Sequence, residues 1–447
     1  MKNHFGLMPS YIDYLRPFKT NATMMLLEII FSLALFTVGV NAEACNKRIT
    51  LTSSSNWKAK FKYEAATYVI KVHLNLNGQV LVVPNKSTLL FKGGSIRNGT
   101  VIGNNTKVCV GKSLVFVKVR ISGTWQNDKV YSEWMDFIEG EKVDNAQNFK
   151  NLMTLCSGDM MTDLYMQSGT FYCSVAAGSS NIKIPSNVYW HNQATLRQLS
   201  TSSPKYGFVL LHKSDNVTID GGVFVGDVQT HTGSDGEWGH GIKLAGATNV
   251  VLKNLTCKEF WGDGIDVIEG RYNTKTSAGE GICSNITIDN VKCLYNRRQG
   301  ISIEAGKNVL VKNSEFAYTG KYGIADPGCG VDIEPWCTNE VKVDNLNFYN
   351  CNIHDNHPQR DFCLEPNLIR LVKKGTSGNV SSNNITIDKC KTGKLLIHGA
   401  NTVNIKDCII DEICHYNQGK NIRMDNCTFK KKSDLKKRMG LILSRCK

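Results

Sequence analysis

A chain of 447 residues with 41% hydrophobic content can bury a large core, and this length suits two or three ordinary domains unless the architecture is an elongated repeat. Its formal charge of +14, from 53 Lys and Arg against 39 Asp and Glu, favours polyanionic partners such as an acidic polysaccharide, nucleic acid or an anionic surface. A nucleic-acid partner is not expected, because the lysines are scattered and the one dense run, Lys430 to Arg438, reads as a solvated tail.

From the N-terminus, Met24 to Val40 is an apolar run, preceded by Lys2, Arg16 and Lys19 and followed by the small residues Ala42 and Ala44. It contains Glu28 and is shorter than a comfortable span of ~20 residues. Residues 1–42 therefore read as a signal peptide, with a secreted or periplasmic mature chain and no integral membrane span. Cys45 comes directly after the small residues, but Glu43 stands where a lipoprotein signal wants a small or aliphatic residue, so no lipid anchor is expected. Residues 43–140 are strand-rich with Gly and Asn turns, a β region that begins or caps the solenoid described below for the later residues. Asp144 then opens a helix with Gln147 completing a capping box, and the strand-like stretches from Tyr165 and Ile182 come next.

A short unit recurs from Asn216 onward, with starts at Asn249, Asn285, Asn308, Glu340, Asn384, Thr402 and Asn421. Each is a period-two apolar strand, a polar turn residue and a second apolar, Cys or Phe position. The irregular intervals suit a solenoid that keeps its strands and varies its loops. The sixth position reads Asn254, Asn290, Asn313, Asn345, Asp407 and Asn426. These residue types tolerate left-handed turns and stack by hydrogen bonding from rung to rung. Phe224, Cys257, Cys293, Phe316 and Phe348, with Cys390, Cys408 and Cys427 in later units, form an expected interior column. Most of the 16 cysteines are thus expected as core thiols rather than disulfides. No zinc-like CxxC pair occurs, the His354, Asp355 and His357 loop matches no strong ligand template, and no metal site is expected.

A second strand recurs in the same rungs as HGIKLAG from His240, DGIDVIEG from Asp263, QGISIEAG from Gln299 and CGVDIEPW from Cys329. Aligning the glycines stacks Ile242, Ile265, Ile301 and Val331 inward, then Leu244, Val267, Ile303 and Ile333. Alternation sends Lys243, Asp266, Ser302 and Asp332 outward into solvent, with Glu304 and Glu334 two residues further on. Carboxylates at rung spacings are what glycoside hydrolysis uses. Asp266 and Asp332 are the expected catalytic pair, with Asp263, Glu304 and Glu334 beside them. Loops supply candidate substrate-binding groups: His231, Glu237 and His240, Lys243 in the column, Arg297 and Arg298 as carboxylate clamps, and Trp261 and Trp336 as sugar-stacking platforms.

The repeat, with the helix at Asp144, resembles the right-handed parallel β-helix proteins of the pectate-lyase-like superfamily from Asp144 to about Lys430. The resemblance implies an all-β, single-stranded right-handed parallel β-helix over 141–447, with an N-terminal capping helix behind the β-rich region 43–140. That superfamily includes polygalacturonase- and rhamnogalacturonase-like hydrolases, lyases, epimerases and tailspike-like binders. The polygalacturonase-like branch carries G-D-D, then G-H-G, then R-I-K. Here Asp263 in GDG matches the first aspartate, GHG at Gly239 to Gly241 precedes it, and R-I-K is absent. The expected activity is cleavage of glycosidic bonds in an acidic, uronate-containing polysaccharide, without a cofactor. A lyase is the alternative, with Lys243 or Arg298 as base and Ca²⁺ held by Asp266, Asp332 and Glu334. A non-catalytic carbohydrate-binding or adhesive solenoid and an epimerase are the others.

Overall fold

A computed structural model describes residues 47–175, 182–273, 278–323, 325–335, 341–357, 360–364, 382–397, 399–415, 420–431 and 441–447. The expected signal peptide, Cys45 and Trp336 lie outside the described residues. Lys47–Lys447 is one compact unit, so the strands on either side of residue 140 belong to the same body.

The chain coils as a parallel β-helix. Arg48–Leu51 pairs with Thr67–Ile70, which pairs with Thr88–Phe91 and then Ser95–Cys109, all parallel. The β-rich N-terminal region is therefore already wound like the rest. The helix Ala146–Leu155 comes next and buries Phe149, Leu152 and Leu155. Its start is held differently from a capping box. Asp144 Oδ1 accepts the Ala146 and Ser174 N–H groups at 2.9 and 3.0 Å, while the Gln147 amide turns along the helix to Asn151 Oδ1.

From there each strand pairs in parallel with the corresponding strand of the next turn, giving three stacked faces. Two left-handed corners recur per rung, at Asn249 and Asn254, Asn285 and Asn290, Asn308 and Asn313, and Asn345 and Asn350, with φ between 52 and 57°. Asn is tolerated there where most side chains are strained. The amides run as ladders: Asn290 donates to Asn254 at 2.9 Å and Asn350 to Asn313 at 2.8 Å, and Asn308 to Asn285 and Asn345 to Asn308 along the other corner. Asn345 thus stands in the ladder of Asn285 and Asn308, not above Asn313, and the fifth unit begins there rather than at Glu340.

Between the faces lies a continuous apolar core. Ile242, Ile265, Ile301 and Val331 stack in register, as do Leu244, Val267, Ile303 and Ile333, all fully buried. Cys257 pairs with Cys293 inside the coil, and Cys390, Cys408 and Cys427 are also buried. Among the described residues the cysteines are thiols rather than disulfides.

Candidate active site

The strands Trp238–Ala245, Ile265–Ile268, Gln299–Ile303, Cys329–Ile333 and Arg360–Leu364 form one face. Register along it stacks Lys243, Asp266, Ser302, Asp332 and Cys363. Three residues earlier in each strand stand His240, Asp263, Gln299, Cys329 and Arg360, with Gln299, Cys329 and Arg360 in register. Between the two columns runs a line of glycines. A Cβ on Gly241 would lie 2.6 Å from Gly264 O, one on Gly264 2.7 Å from Gly300 O, and one on Gly300 2.4 Å from Gly330 O. The glycines therefore recur because each rung's backbone leaves no room for a side chain.

The turn leading into this face is fixed from inside. Glu259 and Tyr295 adopt left-handed conformations. Buried Asn296 accepts the Phe260 N–H at 3.1 Å and donates to Cys257 O at 3.3 Å. That arrangement delivers Trp261 and Arg298 onto the same strand ends.

The outward column does not face open solvent as alternation implies. Asp263 and Asp332 are 0% exposed and Asp266 1%, with Arg298, Gln299, Ser302, Lys243 and His240 packed against them. Arg298 Nη1 donates to Asp263 Oδ2 at 2.9 Å and to Gln299 Oε1 at 3.0 Å, and Nη2 donates to Glu334 Oε1 at 2.7 Å. Gln299 Nε2 donates to Asp332 Oδ2 at 2.7 Å. Ser302 Oγ donates toward Asp263 Oδ2 at 3.1 Å and Asp266 Oδ1 at 3.3 Å. Lys243 Nζ pairs with Asp266 Oδ2, and His240 Nε2 stands 3.6 Å from the same oxygen. Lys243 and Glu304 are the half-buried members at the surface of this cluster.

These contacts set the protonation states. Burial pushes the Asp266 carboxyl up, but Lys243 and His240 outweigh it and hold it below the ordinary carboxylate range. Burial pushes Glu304 well above that range, with the negative charges of Asp266 and Glu334 adding to the effect. Glu334 is raised by burial as well, against the opposing pull of Arg298. Lys243 and Arg298 both stay firmly protonated: burial opposes their charge, but Asp266 restores it for Lys243, and Asp263 and Glu334 restore it for Arg298.

The loop groups expected to bind substrate are mostly committed to one another. The Trp261 ring stacks on His231 at 3.8 Å between centroids, and the Arg297 guanidinium lies 3.8 Å from the same ring. Trp261 is 9% exposed, so it offers little face to a sugar. His231 Nδ1 is 2.9 Å from Asp227 Oδ2, and Tyr206 donates to the other Asp227 oxygen at 2.8 Å. Arg297 Nη1 donates to Gly236 O at 2.9 Å. Glu237 Oε1 is 4.0 Å from Arg298 Nε at the rim. Sequence reasoning missed Gln299, which cross-links Arg298, Asp332 and Glu334. It also missed Cys329 and Cys363, although Cys329 occupies the motif position of His240, Asp263 and Gln299.

Residues 168–335, less than half of the chain, match the family described as "Right handed beta helix region". The uncharacterized protein YclG of Bacillus subtilis (strain 168) is 26% identical over 232 residues, 48% of this chain and 39% of that protein. The SPbeta prophage-derived uncharacterized protein YorA of the same organism is 22% identical over 291 residues, 57% of this chain and 48% of that protein. The chain thus spans less than half the length of either curated relative. A family 28 exopolygalacturonase of Yersinia enterocolitica superposes with a TM-score of 0.34 at 8% identity, covering 90% of this chain and 78% of that one. Among the described residues no helix is long and apolar enough to cross a membrane.

Proposed function

We propose that the chain is an exported, polysaccharide-active enzyme that hydrolyses glycosidic bonds, with Glu304 as general acid and Asp266 as its ionised partner. The observation that carries this reading is that two carboxyl groups on neighbouring rungs are shifted in opposite directions by their surroundings, Asp266 below the ordinary range by Lys243 and His240 against burial, and Glu304 above it by burial and the nearby carboxylates. Such divergence separates an acid from a base or nucleophile. Glu304 would protonate the leaving glycosidic oxygen, and Asp266 would activate water or attack the anomeric carbon. Asp263 and Asp332, fully enclosed, hold Arg298 and Gln299 rather than touch substrate.

The lyase alternative requires an unprotonated base next to a uronate, and the two basic groups available for it, Lys243 and Arg298, are both held charged. An acidic glycan is the preferred substrate class because the chain carries +14 and Lys243 is the half-exposed cation over Asp266. A uronate carboxylate that draws Lys243 toward itself would uncover that aspartate. The test is incubation of purified protein with a panel of neutral and uronate-containing polysaccharides, following reducing ends and the absorbance of unsaturated uronates. New ends without absorbance support hydrolysis. Ends with absorbance make it a lyase, and neither signal makes it a binder or epimerase.

A further inference from the structure

Most buried cysteines among the described residues line the interior of the coil, but two stand in the columns of the candidate active face. Cys257, Cys293, Cys351, Cys390, Cys408 and Cys427 are buried, and the last four spend their S–H groups on neighbouring backbone carbonyls or succeed one another along the interior. Cys329 and Cys363 instead belong to the functional face. Cys363 continues the column of Lys243, Asp266, Ser302 and Asp332 in register, and Cys329 continues that of Gln299. Both are fully buried, and their sulfurs stand 2.8 Å apart.

A third donor converges on them. Among the described residues, Cys329, Asp332 and Cys363 are the one group of three metal-type ligands whose donor atoms all lie within 4.8 Å of one another. The carboxylate is oriented from behind, since Gln299 donates to Asp332 Oδ2 at 2.7 Å and is itself held by Arg298 at 3.0 Å. Outer hydrogen bonds of this kind fix the direction of a ligating group.

We propose that Cys329, Asp332 and Cys363 form a binding site for a soft divalent cation of the Zn²⁺ class. Two thiolates and one carboxylate suit Zn²⁺, whereas Ca²⁺ and Mg²⁺ take oxygen ligands only. Three protein ligands leave one position of a tetrahedral ion to be filled from outside the trio. Thiolates on one tetrahedral zinc stand roughly 3.8 Å apart, given Zn–S bonds of ~2.3 Å, so the ion enters as the two sulfurs part by about 1 Å. A disulfide would also relieve their contact, but it would make no use of the oriented Asp332 carboxylate. The site is independent of whether the neighbouring carboxyls cleave glycans.

The experiment is metal analysis of the full-length protein, reduced, loaded anaerobically with Zn²⁺ and freed of excess. The expected result is one zinc per chain, lost in Cys329→Ser and Cys363→Ser, bound at least tenfold more weakly in Asp332→Asn, and unchanged in Cys109→Ser at an exposed thiol. Titration of the wild-type chain with Co²⁺ should produce thiolate-to-cobalt charge-transfer absorption, a readout that needs no variant to fold. Reduced wild-type protein that takes up neither ion, or a Cys329→Ser/Cys363→Ser double variant that keeps its zinc, overturns the proposal. So does isolation of the chain with Cys329 and Cys363 joined as a disulfide, combined with no metal uptake after reduction.

Discussion

Gln299 on one rung donates to Asp332 on the next at 2.7 Å, reaching from the first position of its strand to a residue three places along the neighbour. The same diagonal sets His240 Nε2 3.6 Å from Asp266 Oδ2 and Cys329 Sγ 2.8 Å from Cys363 Sγ. A single offset of the coil, repeated, thus brings histidine to aspartate, amide to aspartate and thiol to thiol. The chemistry of each pair is set by which residue types fill the two columns, and the backbone supplies only the geometry.

Asp263 and Arg298 are the buried pair on which the face depends, with side chains 0% and 10% exposed. Replacing Asp263 by Asn should strand the guanidinium among fewer acceptors and cost about 3–5 kcal/mol of stability. Asp266→Asn should also lower stability, since Lys243 and His240 lose their shared partner, although alternation alone would place this residue harmlessly in solvent. Chemical denaturation midpoints check both. A pair of variants as stable as the parent would mean that the network is dispensable.

Removal of the ladder amide in Asn290→Ala should cost about 1–3 kcal/mol, combining a left-handed φ of 53° with loss of the 2.9 Å bond to Asn254. Asn290→Gly should recover the conformational part of that loss but not the hydrogen bond. Thermal unfolding of the two variants separates the contributions, and equal losses in both would assign the whole effect to the amide.

The inner columns were legible because period-two alternation over Ile265 and Val267 or Ile301 and Ile303 admits one inward set. The phase of the fifth rung was not. Starts at Glu340 and at Asn345 both give alternating apolar positions and both end at an Asn, and tertiary pairing chooses between them by burying Val343, Leu346 and Phe348 while leaving Val341 38% exposed. The carboxylates of the face could be named from sequence, but their enclosure could not. Burial of an outward residue depends on what the loops lay over it, and neither the Arg298 bridge nor the stack of His231, Trp261 and Arg297 leaves a periodic trace.

The interior thiols should be inaccessible in the folded chain and free when it unfolds. Burial lifts the Cys257 and Cys156 thiols far above the ordinary range and Cys283 to about 12, so little thiolate exists to react. Alkylation of native protein and subsequent peptide mapping should mark Cys109 and spare Cys257, Cys293 and Cys390. Denaturation without reductant should then expose all three. Failure to label them after denaturation would mean that they are paired in disulfides.

Glu304→Gln tests the acid in two ways. Loss of proton donation should slow glycan cleavage by about 10²–10⁴. Because the folded pKa of Glu304 lies above its unfolded value, the folded state binds this proton more tightly, and the group's contribution to stability falls as pH rises from the ordinary glutamate range through the raised folded value. The glutamine variant, which has nothing to ionise, should therefore gain stability over the parent as pH increases across that window and show no gain below it. A melting-temperature difference flat with pH would sink the assignment.

Lys243→Met probes the other half of the pair. In the parent, Lys243 is the largest favourable influence holding Asp266 below the usual carboxylate range, against the upward push of burial. Removing the cation leaves burial and His240, so the Asp266 carboxyl should titrate at higher pH. If ionised Asp266 serves the reaction, the acidic limb of the pH profile for kcat/KM should move up in the variant, since a larger share of the enzyme carries the proton at low pH. The stability signature differs. A carboxyl with a depressed folded pKa stabilises the fold above its unfolded value and loses that contribution as pH falls through the folded one, so the variant, with less depression, should be less stable than the parent near neutrality and the difference should narrow in acid. Both effects should appear in pH–rate profiles and pH-dependent unfolding. A variant less stable than the parent near neutrality yet with the parent's acidic limb would show that Asp266 holds the face together without taking part in the chemistry.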